Sequence, residues 1–217
     1  MEETMFVGER MTHPVITLSP DTPVPDARVM FKKEHIRRAP VVKDGKIIGI
    51  VSEQDLVNAS PSPVSSLSVW EMNYLISKVT VKQVMSKKVI SVDVTTPIEE
   101  AARIMADNKF GGLPVMRSGK LVGIITETDL FKIFLELMGA RTKALRITAE
   151  IADKPGVLAE ITKAISDAGG NFISFGQFSG EDSATKIITF KVEGLKKDGI
   201  TKALNKLVKK FWDIRVS

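Results

Sequence analysis

The apolar positions of this chain change period several times, and they do so twice in the same order. Residues 15–18 and 89–92 are short β-rich runs. Each leads into Thr-Pro, which places Thr22 or Thr96 as a helix N-cap and Pro23 or Pro97 at the first helical position. Glu99 adds the second half of a capping box with Thr96. Helical spacing then runs to about His35 and Lys109. A hairpin follows in each case: residues 39–42, a turn at Asp44-Gly45 and residues 47–51, then residues 113–116, Ser118-Gly119 and residues 121–125. Both hairpins end in a shared phrase, GIVSEQDL from Gly49 and GIITETDL from Gly123, which opens a further helix. The copies superpose without a gap at an interval of 74 residues (123 − 49 = 74), pairing Met11 with Met85, Ala27 with Ala101 and Pro40 with Pro114. The order in each is β-α-β-β-α. One unit of roughly fifty residues buries its apolar face poorly alone, so the two should pack together.

Between the copies, Pro61 and Pro63 interrupt the helical pattern. Leu67, Trp70, Tyr74 and Leu75 then return near helical spacing, predicting an amphipathic connector over 66–78 whose aromatics pack. The text changes again at Ala144. Leu145, Ile147, Ala149 and Ile151 alternate like a strand, and Asp153-Lys154-Pro155-Gly156 is a turn. Residues 157–168 carry a helical apolar stripe stopped by Gly169-Gly170. Residues 171–178 and 185–192 read as strands. A helix over 200–211 turns Ile200, Leu204, Leu207, Val208 and Phe211 inward, and residues 213–216 add a last strand. That order, β-α-β-β-α-β, is the ferredoxin-like plan. The fold class is therefore α+β: two packed repeats over 5–60 and 80–137, a linker helix over 61–79, and a third domain over 144–217.

Charge supports a boundary near residue 140. Up to that point 17 basic and 17 acidic side chains cancel; the 14 basic and 9 acidic that follow hold the whole net +5. Lys196, Lys197, Lys202, Lys206, Lys209 and Lys210 account for the excess. On a helix opposite the apolar stripe they read as a solvated face. A salt-sensitive nucleic-acid contact through that basic C-terminal helix is the alternative, although no basic, aromatic-rich groove accompanies it. The absence of cysteine excludes disulfides, thiolate zinc sites and cysteine nucleophiles, and fits a cytoplasmic protein. With only His13 and His35, and no G-x-S-x-G, H-E-x-x-H or Walker loop, the inventory argues against an enzyme. No apolar run reaches the roughly 18 residues of a membrane span, and the acidic start MEETMFVGER is unlike a signal peptide.

The shared phrase has two readings. Ser52-x-x-Asp55 and Thr126-x-x-Asp129 are capping boxes with a short acid. The same atoms suit a nucleotide: a helix start attracts phosphate, a hydroxyl adds a hydrogen bond, and a carboxylate accepts from both ribose hydroxyls. The duplicated phrase, the Pro-Val strand and the Thr-Pro helix start together resemble a tandem CBS pair, or Bateman module, over about 5–137. The resemblance implies that an adenosine nucleotide (AMP, ADP or ATP) binds between the repeats, with Asp55 or Asp129 on ribose and Ser52 or Thr126 near phosphate. It also implies basic residues at the hairpin entry, filled by Arg37 and Arg38 in the first copy but by Gly111 and Gly112 in the second. Bidentate guanidinium suits phosphate, so the two clefts should be unequal. The connector wording SPSPVSSLSVWEMNYL is similar to that of acetoin-utilisation AcuB-type regulatory proteins.

DKPGVL followed by AGGNF resembles an ACT domain over 144–217. That implies a small effector, often an amino acid, where a loop meets a neighbouring chain. Asp153 and Gly156 form that loop, Gly156 allows close backbone approach, Val157 and Leu158 offer amides, and Asn171 supplies its side-chain amide. The alternative is that DKPG is only a turn and Asn171 only a loop cap. The whole reads as a non-catalytic, homodimeric sensor, taking small-molecule effectors and acting on a target protein the residues do not identify.

Overall fold

A computed structural model describes residues 5–59 and 74–217, and the chain divides into two compact units, Met1–Leu130 and Phe131–Ser217. The first unit opens with α1 (Val7–Arg10), followed by α2 (Val24–Lys33), the hairpin β1 (Arg38–Lys43) and β2 (Lys46–Ser52), and α3 (Glu53–Asn58). The second copy repeats it as α4 (Val81–Val84), β3 (Val92–Asp93), α5 (Ile98–Asn108), β4 (Gly112–Arg117), β5 (Lys120–Thr126) and α6 (Glu127–Leu137). The connector expected over 61–79 lies largely outside the described residues; residues 74–77 are helical.

Each copy's opening arm is built into the other copy. Val7 and Gly8 donate their N–H groups to the carbonyls of Thr96 and Val94, at 2.9 and 2.8 Å. Reciprocally, Val81 and Lys82 donate to Thr22 and Pro20, both at 2.9 Å. Val81 is fully buried among Leu18, Val24, Ala27, Phe31, Val41 and Leu56 of the first copy, with Val84 and Met85 of its own arm packed against the same core. The arms end in the paired methionines. The Met85 thioether lies where a Cβ on Gly49 would be, and the Met11 thioether does the same at Gly123. Glycine therefore opens the shared phrase because an exchanged side chain occupies its Cβ space.

Sequence and structure part at the ends of elements. The runs at 15–18 and 89–92 do not become full strands: Leu18 makes one parallel bridge with Val41, and β3 is two residues long. Val89 and Ile90 instead turn toward a cleft. The helix N-caps are Pro23 and Pro97 themselves, without a side-chain bond, so the Thr96–Glu99 box does not form. The Thr96 hydroxyl accepts from the Asp93 N–H at 3.1 Å and closes the preceding turn. Both hairpins keep the expected turns and carry a register shift at matching points, Val41/Val42 and Val115/Met116.

The second unit holds β6 (Leu145–Ala152), α7 (Val157–Asp167), β7 (Asn171–Ser179), β8 (Thr185–Glu193), α8 (Lys197–Leu204) and β9 (Lys210–Val216). Its four strands lie in the order β7-β8-β6-β9, all antiparallel, as the ferredoxin-like plan requires. One sheet face presents Ile147, Ala149, Ile188 and Phe190 to Ile161 and Ile165 of α7 and Ile200 and Leu204 of α8. The last helix is shorter than its apolar spacing suggests. It ends at Leu204, because Phe211 is drawn into the β9 ladder opposite Ala149. The six lysines are thus split between a helix, a turn and a strand, and do not share one helical face. Lys191 is buried, and its ammonium donates to the carbonyls of Gly139 and Thr142 at 3.0 and 2.8 Å.

The methionine contact makes a direct prediction. Gly49→Ala and Gly123→Ala should each destabilise the first unit by about 1–3 kcal/mol, the range for overpacking a filled core. Urea unfolding of either variant measures this, and wild-type midpoints for both would contradict the packing described.

Candidate functional site

The shared phrase folds as a capping box in the first copy and keeps its carboxylate half in the second. Ser52 is the N-cap of α3; its hydroxyl accepts from the Asp55 N–H at 3.2 Å. Oδ2 of Asp55 accepts from the Ser52 N–H at 2.8 Å and from its hydroxyl at 2.6 Å. In the second copy Oδ2 of Asp129 accepts from the Thr126 N–H and hydroxyl at 2.9 and 2.7 Å. One carboxylate oxygen in each copy is therefore committed to the helix start.

The other oxygen separates the copies. Asp129 is 6% exposed, and its Oδ1 accepts from the Thr12 hydroxyl at 3.4 Å. The first-copy counterpart of Thr12 is Ser86 (86 − 12 = 74), whose hydroxyl turns instead to the Lys88 carbonyl at 3.5 Å. Asp55 stays half-buried and lines an open cleft of about 270 Å³ between the copies. Ile50, Val89 and Ile90 form an apolar wall there, with Ser52, Arg38, Lys88, Lys109 and Phe110 around it.

Arg38 spans the two copies. It pairs with Ser52 across the β1–β2 hairpin, and its guanidinium lies where a side chain on Gly111 would stand. Its Cδ would come within 2.8 Å of a Cβ on Gly112. The Gly-Gly of the second copy is thus the surface that receives Arg38, a role hidden when the two hairpin entries are compared only for charge. Burial holds the Arg38 guanidinium below its ordinary range; Glu127 opposes this, Arg37 adds to it, and Asp55 opposes it.

Of the residues expected at a nucleotide site, the structure brings together Ser52, Asp55 and Arg38. Arg37 lies outside this cleft, in a groove of about 720 Å³ along α2 and α3 with His35 and Glu53. In the second copy Asp129 is buried, with one oxygen on Thr126 and the other on Thr12, and Thr126 is half-buried. Lys88 and Lys109 join the cleft without any expectation from the sequence. Lys109 caps α5 in the left-handed conformation (φ 56°), and His35 takes the same conformation (φ 52°) at the matching position. A basic residue closing the first helix in both copies was the available signal.

The effector loop is less assembled. Gly156 is the N-cap of α7 at φ 90°, a left-handed conformation that favours glycine. No described atom of the chain lies within 4 Å of where its Cβ would be, so the backbone conformation requires glycine and close approach does not. Asp153 pairs with Lys186 at 3.4 Å, the Val157 N–H reaches the Lys154 carbonyl at 3.4 Å, and Leu158 is exposed. Asn171 starts β7, beyond the other end of α7, and donates to Glu193 at 3.1 Å. The 11 residues of α7 put about 16 Å between the two halves of the expected site.

Comparison with known proteins matches this architecture. The CBS domain family matches residues 7–62 and 81–136, and the ACT domain family matches residues 145–209. The chain belongs to the CBS-domain family, as a tandem CBS pair followed by an ACT domain. Three solved structures resemble the CBS part. An acetoin utilization protein (AcuB) from Vibrio cholerae is 31% identical, covering 64% of this chain and 96% of that one, with a TM-score of 0.52. CBSX2 in complex with AMP is 30% identical, covering 61% and 97%, with a TM-score of 0.50. The CBS pair of MJ0100, in complex with 5′-methylthioadenosine and S-adenosyl-L-methionine, is 25% identical, covering 59% and 98%, with a TM-score of 0.50. Among curated relatives, this chain spans 94% of a CBS domain-containing protein of Dictyostelium discoideum at 28% identity, over 62% of its own length. It spans about half (49%) of MJ1225 of Methanocaldococcus jannaschii, also at 28% identity and over 62% of its own length.

The two boxes should differ in stability. Ser52→Ala removes a half-exposed cap and should cost about 1 kcal/mol. Thr126→Ala strips a buried carboxylate of its hydroxyl donor and should cost more, about 1–3 kcal/mol. Denaturant midpoints of the two variants check the order.

Proposed function

We propose that the chain is a regulatory sensor in which an adenosine nucleotide binds the cleft between the CBS copies. The observation that carries this is the half-buried Asp55 beside Ser52 and Arg38 in a cleft near the lower end of ligand-pocket volumes, ~300 Å³. Asp55 would accept the ribose hydroxyls, Ile50, Val89 and Ile90 would face the base, and Arg38 would meet phosphate. The AMP named with CBSX2, and the methylthioadenosine and S-adenosylmethionine named with MJ0100, support an adenosine ligand.

The ACT domain would take a small effector, such as an amino acid, in a homodimer. Gly156 and Asn171 stand at opposite ends of α7, so one small molecule reaches both only when two chains each supply one half. Exposed Val29 and Val57 along the α2–α3 groove offer apolar surface to a second copy. Ligand state would then bias the arrangement of the dimer and be read by a target protein. A cytoplasmic role in acetoin or related carbon metabolism is supported by the connector wording and the likeness to AcuB. The nucleic-acid alternative lacks the single basic helix it relied on.

Thermal unfolding with a panel of nucleotides and amino acids tests this reading. AMP, ADP or ATP at 100 times its dissociation constant should stabilise the fold by about 2.7 kcal/mol. Asp55→Ala should weaken binding roughly tenfold or more, as expected on losing a charged acceptor. No shift with any adenosine nucleotide at millimolar levels would overturn the assignment. Light scattering should give twice the 23.8 kDa chain mass; a monomer at tens of micromolar, unchanged by ligands, would remove the dimer and its shared effector sites.

A further inference from the structure

Resting on that reading of the cleft, we propose that the chain holds one adenosine site rather than two, and that this site selects its ligand by phosphate charge. Three cations from three separate segments line the Asp55 cleft: Arg38 at the start of β1, Lys88 after α4, and Lys109 at the end of α5. Asp55 is the only carboxylate among the described lining residues, and one of its oxygens is held in the capping box. Glu127 acts on Arg38 from nearby, and Arg37 adds a further positive charge. The cleft is therefore positive on balance.

Lys109 sharpens the case. Its left-handed backbone disfavours a side chain with a Cβ, and glycine or asparagine would sit there with less strain. His35 takes the same conformation at the matching position outside the cleft, so the helix end accounts for the backbone; what points to a ligand is that the residue here is a lysine at the edge of a cleft that already holds Arg38 and Lys88. An anionic ligand explains it, because gathered cations repel one another until a counter-charge arrives. Phosphate at the 5′ end of the nucleoside supplies that charge, and each added phosphate supplies more. A thioether at the same carbon supplies none, and a sulfonium adds to the repulsion. The expected preference is ATP, then ADP, then AMP, with adenosine and methylthioadenosine weaker and S-adenosylmethionine weakest.

The second copy is not built for this work. Glycine at 112 replaces Arg38, and Pro14 stands where Lys88 would be (14 + 74 = 88). Asp129, which would have to meet the ribose, is buried against Thr126 and Thr12. Its carboxylate serves the helix start and the exchanged arm.

Calorimetry on the full chain tests both halves of the proposal. ATP should bind with one site per chain, roughly tenfold or more tighter than adenosine. Lys109→Asn, which suits the left-handed position, should weaken ATP roughly tenfold and change adenosine less than about twofold. Lys88→Ala gives a second, independent check outside any helix or strand. Asp55→Asn should weaken ATP and adenosine alike, since the ribose is common to both, with circular dichroism confirming a folded chain. Two ATP sites per chain, methylthioadenosine binding as tightly as ATP, or equal loss of ATP and adenosine in both lysine variants would each overturn the proposal while leaving the cleft an adenosine site. Absence of heat with every adenosine compound would remove the site itself.

Discussion

The first unit depends on an exchange. Neither CBS copy owns a complete core: Val81 fills the first copy, and Val7 hydrogen-bonds into the second. The methionines that end the exchanged arms, Met11 and Met85, sit in space left by Gly123 and Gly49. Those glycines begin the phrase whose Asp55 and Asp129 cap the helices that follow each hairpin. Packing of the arms thus sets where each helix starts, and through it where each carboxylate stands. The cleft is a by-product of that interlock, bounded by the hairpin of one copy and the helix end of the other.

One set of atoms serves fold and site together. Asp55 commits Oδ2 to the cap and stands at the cleft; Asp129 repeats the cap but turns Oδ1 to Thr12. A threonine replaced by serine at the matching position, and a hydroxyl that rotates away, are enough to make one acid available and the other internal. A duplicated motif can thus keep its folding role in both copies while its second carboxylate oxygen meets different surroundings in each.

Much of this was legible in the sequence because the repeat is gapless and both hairpins carry strong turn residues. The ferredoxin-like order of the second unit was equally plain from alternation in β6 and the glycine stop after α7. What sequence reading missed were effects that arise only between distant segments. Helical spacing carried the last helix through Phe211, but ladder pairing with Ala149 claims that residue for β9. The Thr96 cap looked sound locally, yet its hydroxyl closes the turn to Asp93. Gly111-Gly112 looked like lost charge and is instead a seat for Arg38. Lys88 and Lys109 belong to the second copy and join Ser52, Asp55 and Arg38 of the first only when the copies pack. Arg37 and Arg38 are adjacent in sequence, yet Arg37 stands in the bend before β1 and Arg38 opens the strand, and they line different cavities.

The exchanged arms also set how the protein can assemble its own core. A lone copy would have to find another copy and trade arms with it, so its folding would vary with concentration. Joining donor and acceptor in one chain replaces that encounter with a tether, whose effective concentration is on the order of millimolar for short connections. The 74-residue duplication therefore makes folding of the cleft independent of how much protein is present. It also frees the two copies to diverge, since a change in one, such as Arg38 against Gly112, no longer has to be repeated in its partner.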